Sequence, residues 1–120
     1  METLTELVDL KLRTKQFALR VIRLVTQLPE DQVSRVIGSQ LLRSGTSVGA
    51  HYREASRARS TAEFKSKIGG GLQELEETIY WFELLIESDI ISEGRLSDLM
   101  NEANELTAIF VTCSINAKDK

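Results

Sequence analysis

The feature that most constrains this chain is a run of apolar residues, Phe64, Ile68, Leu72, Leu75, Ile79, Phe82 and Ile86, spaced by four, four, three, four, three and four positions. Residues three and four apart share one face of an α-helix, so the run predicts a long helix with a continuous seam turned toward other helices. It opens at Ser60-Thr61-Ala62-Glu63, which reads as a capping box. There the serine hydroxyl accepts from the Glu63 amide, and the Glu63 carboxylate accepts from the serine amide. Gly69-Gly70-Gly71 interrupts the seam. As a phosphate loop it lacks a preceding strand and a Lys-Ser/Thr ending, so close packing or a kink is the better reading.

A chain able to bury one such seam needs others to pair with it, and three more are legible. Leu4, Leu7, Val8, Phe17, Val21, Leu24, Val25 and Leu28 form an amphipathic stripe of about six turns. It stops at Pro29, the single proline, whose ring disfavours the α conformation of the residue before it. Pro29-Glu30-Asp31 suits the first turn of a second helix, with proline at the first helical position and carboxylates at the positive dipole end. Val33, Val36, Ile37 and Leu41 continue that helix into Ser44-Gly45-Thr46-Ser47-Val48-Gly49-Ala50. Gly45 and Gly49 share a face and predict close approach of a neighbouring helix. A fourth stripe comprises Leu96, Leu99, Met100, Ala103, Leu106, Phe110 and Cys113. The expected fold is all-α, an antiparallel up-down four-helix bundle with helices near 3–28, 29–57, 60–88 and 94–116 in one domain.

The single Cys113 allows no intrachain disulfide and suits a reducing cytoplasm. The N-terminus carries early acids and no apolar signal core, and no long apolar run would span a membrane, so a soluble cytoplasmic protein without membrane association is expected. The net charge of −3 hides a division. Between Arg35 and Lys67 seven bases face two acids, net +5, whereas between Gln73 and Glu105 ten acids face Arg95 alone, net −9. The remaining segments nearly cancel. Arg53-Glu54-Ala55-Ser56-Arg57-Ala58-Arg59 concentrates the basic part, and Arg53 and Arg57 share a helix face on which two guanidinium forks could meet neighbouring phosphates. The same junction is also suited to pairing with the acidic strip of its own bundle or of a neighbouring subunit.

Chemistry-bearing residues are few. His51 and Cys113 would make a thiol dyad only if the fold joined them, and no third orienting group is indicated. One His cannot supply the two Glu-x-x-His halves of a di-iron bundle. Glu76, Glu83 and Glu87 read as a solvated or salt-bridged face. No catalytic residue, metal or cofactor is expected.

The run Gln40-Leu41-Leu42-Arg43-Ser44-Gly45-Thr46-Ser47-Val48-Gly49-Ala50, with Tyr52-Arg53-Glu54-Ala55, Arg57-Ala58-Arg59-Ser60, Glu63-Phe64 and Glu74-Leu75-Glu76-Glu77-Thr78-Ile79-Tyr80-Trp81-Phe82-Glu83-Leu84-Leu85, resembles the bacterial four-helix-bundle family of 23S rRNA intervening-sequence proteins. The accessory variability determinant of diversity-generating retroelements is similar to the same family. The likeness runs from about Arg13 to Ile91. It implies a ring-like homopentamer without catalysis, whose basic surface meets RNA or DNA, or a protein partner such as a reverse transcriptase. Carried onto this sequence, the contact surface is Arg43, Arg53, Arg57 and Arg59; local charge adds Lys65 and Lys67. Two functions follow as expectations: backbone binding of nucleic acid by a homo-oligomer, or docking of a protein partner without nucleic-acid contact.

Overall fold

A computed structural model describes residues 4–117, with side chains from residue 10 onward. Among the described residues the chain forms four helices and no strand: α1 (Leu4–Thr26), α2 (Gln32–Ser56), α3 (Thr61–Glu87) and α4 (Glu93–Asn116). Short connections force successive helices antiparallel, giving the expected up-down bundle, 50 × 22 × 19 Å. Packing is uneven. The α2–α3 pair is the most extensive and α1–α2 and α3–α4 follow, whereas α1 and α4 meet only sparsely. None of these helices is long and apolar enough to cross a membrane.

The fourth stripe lies as its spacing predicts, with Leu96, Leu99, Ala103, Leu106, Phe110 and Cys113 all buried. The α3 seam is shifted from the apolar reading. Its buried line is Ile68, Gly71, Leu75, Thr78, Phe82 and Leu85, while Phe64, Leu72, Ile79 and Ile86 are half-buried flanks packed against the core. The physical reason is that two core positions hold small residues that hydropathy does not mark. An added Cβ at Gly71 would stand 2.6 Å from Phe110 Cε2, so the glycine makes room for that ring. Thr78 Oγ1 donates to the Glu74 carbonyl at 2.7 Å and is hydrogen-bonded with Ser44 Oγ at 2.8 Å, which satisfies a fully buried hydroxyl. The three glycines do not break α3.

Gly45 and Gly49 serve the close approach expected of them. Cβ atoms there would meet Val21 Cγ1 at 2.8 Å and Thr14 Oγ1 at 3.1 Å, and Gly38 lies against Leu28 in the same way. These contacts fix the antiparallel register of α1 and α2. Thr14 itself is buried and returns its hydroxyl to the Leu10 carbonyl at 2.8 Å.

Helix ends follow local hydrogen bonding. Ser60 caps α3 as expected, its hydroxyl accepting from the Glu63 amide at 3.0 Å. The start of α2 is corrected: Pro29 lies outside the helix and the cap is Asp31. One Asp31 carboxylate oxygen accepts from the Ser34 amide at 2.8 Å and the other from its hydroxyl at 3.1 Å, holding the carboxyl below its usual range chiefly through the amide bond. At the end of α3, Asp89 adopts a left-handed φ of 61°. The Ile90 and Asp89 amides then reach the Leu85 and Ile86 carbonyls at 3.0 Å, a Schellman closure built without glycine.

Candidate nucleic-acid interface

The six cations expected to form one surface fall into two groups. Tyr52 and Ala55 are buried on the core side of α2, which turns Arg53 outward; Arg57 caps the C-terminus of that helix. Arg59 lies in the junction between α2 and α3, and Lys65 lies in the first turns of α3 between half-buried Phe64 and buried Ile68. All four are exposed, and none forms an ion pair with a described residue. Lys67 is engaged, its Nζ standing 3.1 Å from Glu54 Oε1.

Arg43 is separate from this group. Ten residues of helix put it about 15 Å from Arg53 along the axis, and it is held there by carboxylates of α3. Its Nη1 donates to Glu74 Oε1 at 3.2 Å, its Nη2 bonds Glu77, and Trp81 Nε1 donates to the same Glu77 carboxylate at 3.3 Å. The guanidinium bond holds the Glu77 carboxyl below its ordinary range, and the same bond binds the Arg43 proton more firmly. Intramolecular pairing therefore takes Arg43, while the four junction cations are left to solvent. Spacing along the sequence could not separate these cases, because Glu74 and Glu77 are more than thirty residues away.

His51 faces α3 rather than a thiol. Its ring sits where a Gly70 Cβ would stand, with Nε2 3.7 Å from Glu74 Oε2 and Nδ1 buried without a hydrogen-bond partner. Cys113 is buried on α4. Among the described residues no group of three or more His, Cys, Asp or Glu side chains is arranged to hold a metal ion.

Segment totals concealed a further set of cations. Residues 1–34 balance because Glu2, Glu6, Asp9, Glu30 and Asp31 offset five bases, yet from Leu10 to Leu28 there is no acid at all. Lys11, Lys15 and Arg23 are exposed on α1. Arg13 turns to α4, its Nη2 reaching Glu102 Oε1 at 2.6 Å and Glu105 Oε1 at 3.2 Å, which raises its affinity for the proton, chiefly through the Glu102 bond. A charge count taken over structured helices, instead of between composition breaks, would have found this stripe.

A crystal structure of a protein of unknown function from the S23 ribosomal protein family of Bacteroides thetaiotaomicron superposes on this fold with a TM-score of 0.86, at 34% identity over 92% of this chain and 98% of that one. No curated protein matches the chain. The family model for the 23S rRNA-intervening sequence protein matches residues 8–112, nearly the whole bundle, and the chain belongs to that family.

Proposed function

We propose that this protein is a non-enzymatic, cytoplasmic, homo-oligomeric bundle that binds nucleic-acid backbone through its basic end. The observation that carries this reading is the group Arg53, Arg57, Arg59 and Lys65, exposed together at the α2–α3 junction without a carboxylate partner. The family's name, which points to ribosomal RNA, makes RNA the first ligand to try. Binding would proceed by counterion release, each cation replacing one condensed on the phosphates, without reading bases. Arg43 takes no part, and Lys67 contributes only when Glu54 releases it. A homopentamer is the assembly that the family resemblance suggests.

The test is the double substitution Arg53→Ala with Arg57→Ala, assayed for RNA and DNA binding across a salt series beside sedimentation. Weaker binding with a shallower salt slope and unchanged mass supports the reading. Unchanged affinity and slope would sink it.

A second reading is favoured by Tyr80, half-exposed on α3 and packed on Trp81 with ring centroids 5.2 Å apart, together with exposed Val33 and Val36 on α2. Exposed apolar side chains of this kind suit a protein partner, a reverse transcriptase being one instance, docked without nucleic-acid contact. On that reading Tyr80→Ala abolishes partner capture and the arginine pair serves assembly, so its removal lowers the mass.

A further inference from the structure

The surplus cations of this bundle are not confined to the α2–α3 junction. Gly49 rests on Thr14. One turn beyond Gly49 is Arg53, and one turn before Thr14 is Lys11, so the antiparallel register sets Arg53 and Lys11 level with each other on either side of the α1–α2 contact line. Arg57 follows one turn farther toward the end of the bundle, and Lys15 stands one turn the other way. The four side chains are exposed and make no ion pair with a described residue. Together they occupy a strip about 12 Å long by helical rise.

The strip has two further properties. No acid occurs from Leu10 to Leu28 or from Gln32 to Arg53, and the first acid beyond, Glu54, is occupied by Lys67 on the α3 side. It also offers no aromatic surface for stacking a base, because Phe17 and Tyr52 are buried, and the exposed Tyr80 belongs to α3. Glycine contacts draw the two helices together beneath it, which brings the two rows of cations near one another.

We infer that the phosphodiester backbone lies along the α1–α2 face, held by Lys11, Lys15, Arg53 and Arg57, so that α1 supplies half of the contact surface. This rests on the proposed nucleic-acid reading and narrows its site: Arg53 and Arg57 are kept, and Lys11 and Lys15 of α1 take the place of Arg59 and Lys65. Four neutralised phosphates predict a slope of log affinity against log salt of about −3.6 on duplex and about −2.8 on single strand, with no base preference.

The experiment compares the wild type, Lys11→Ala with Lys15→Ala, Arg53→Ala with Arg57→Ala, and Arg59→Ala with Lys65→Ala, each bound to a labelled random-sequence duplex and a single strand of RNA and of DNA across a salt series. Circular dichroism and light-scattering mass accompany each variant. The expected result is that the lysine pair and the Arg53/Arg57 pair each shallow the duplex slope by roughly 1.8 and weaken low-salt binding about tenfold or more, while the Arg59/Lys65 pair changes little. A lysine pair that binds like wild type while the Arg59/Lys65 pair loses slope would overturn the α1–α2 face and leave the junction reading standing. Absence of salt-sensitive binding by wild type would remove both. A lysine pair that lowers the mass would assign the face to a second copy and overturn the inference.

Discussion

The two halves of this bundle differ in charge and in how they are packed. From Leu10 onward, α1 and α2 carry eight bases and one acid, Glu54; α3 and α4 carry ten acids and three bases. The α1–α2 contact is made smooth by Gly38, Gly45 and Gly49, whereas the buried faces of α3 and α4 are mostly large residues, with Gly71 making room for Phe110. Ion pairs cross between the halves at Arg13–Glu102, Arg43–Glu74 and Arg43–Glu77. The pairing is incomplete. Of the cations that form no ion pair with a described residue, Lys11, Lys15 and Arg53 lie toward the end where α2 finishes and Arg20, Arg23 and Arg35 toward the other. The first set, joined by Arg57, makes the surface able to attract a polyanion.

Substitutions can break this comparison at several levels. Gly45→Ala should have the largest effect, because its Cβ would meet Val21 Cγ1 at 2.8 Å; overpacking of this kind costs about 1–3 kcal/mol. Thermal or denaturant unfolding measures it, and combining it with Val21→Ala should cost less than the two single changes summed. A neutral Gly45→Ala would mean that the halves do not differ in closeness of packing.

Thr78→Val tests the join between the halves. It leaves the fully buried Ser44 Oγ with only its long 3.4 Å bond to the Leu41 carbonyl, at about 1–2 kcal/mol in the same assay. Gly69→Ala is the counterpart of Gly45→Ala with the opposite sign. Nothing lies within 4 Å of a Cβ there, so helix propensity alone should raise stability by up to about 1 kcal/mol. Arg13→Gln removes the main polar tie across the sparse α1–α4 contact. Its expected cost is roughly 1 kcal/mol, shrinking as salt is raised.

The smallest effect is one of pH. Arg43 holds the folded Glu77 carboxyl below its ordinary value of 4.5, so the unfolded chain binds the proton more tightly. That contribution to stability is present above this value and is lost as pH falls through it toward the folded value. Arg43→Gln should flatten this acid limb by lowering stability slightly near neutrality while leaving it unchanged at the acid end, the effect being small as expected of a pair half open to water. Unfolding midpoints between pH 3 and 7 would show it; an unaltered limb would mean the pair does not persist in solution.

Helices were legible in the sequence where hydropathy and packing coincide. The α4 stripe and the Ser60 cap needed no tertiary information, and the Gly45/Gly49 spacing announced a close neighbour. The α3 seam was misread at Gly71 and Thr78 because a core position can be filled by absence of volume or by a satisfied hydroxyl, neither of which is apolar. Pro29 drew the start of α2 three residues too early, since Asp31 caps the helix by bonding Ser34 twice. Of the candidate site, the residue types and their clustering near the α2–α3 junction were legible; that Arg53, Arg57, Arg59 and Lys65 are exposed while Arg43 pairs with carboxylates of α3 was not, because those partners come from another helix. Lys11 and Lys15 were hidden by summation over a segment whose acids lie outside the stretch from Leu10 to Leu28.

The central claim is that the unpaired basic end of α1–α2 holds nucleic-acid backbone. Its most direct measurement is the affinity of the wild-type protein for a labelled random-sequence duplex at five or more salt concentrations, with the mass of the same sample determined by light scattering. The account predicts a straight log–log dependence with a slope of about −3.6, equal for unrelated sequences. A slope near zero, or no binding at low salt by a protein of intact mass, would contradict it.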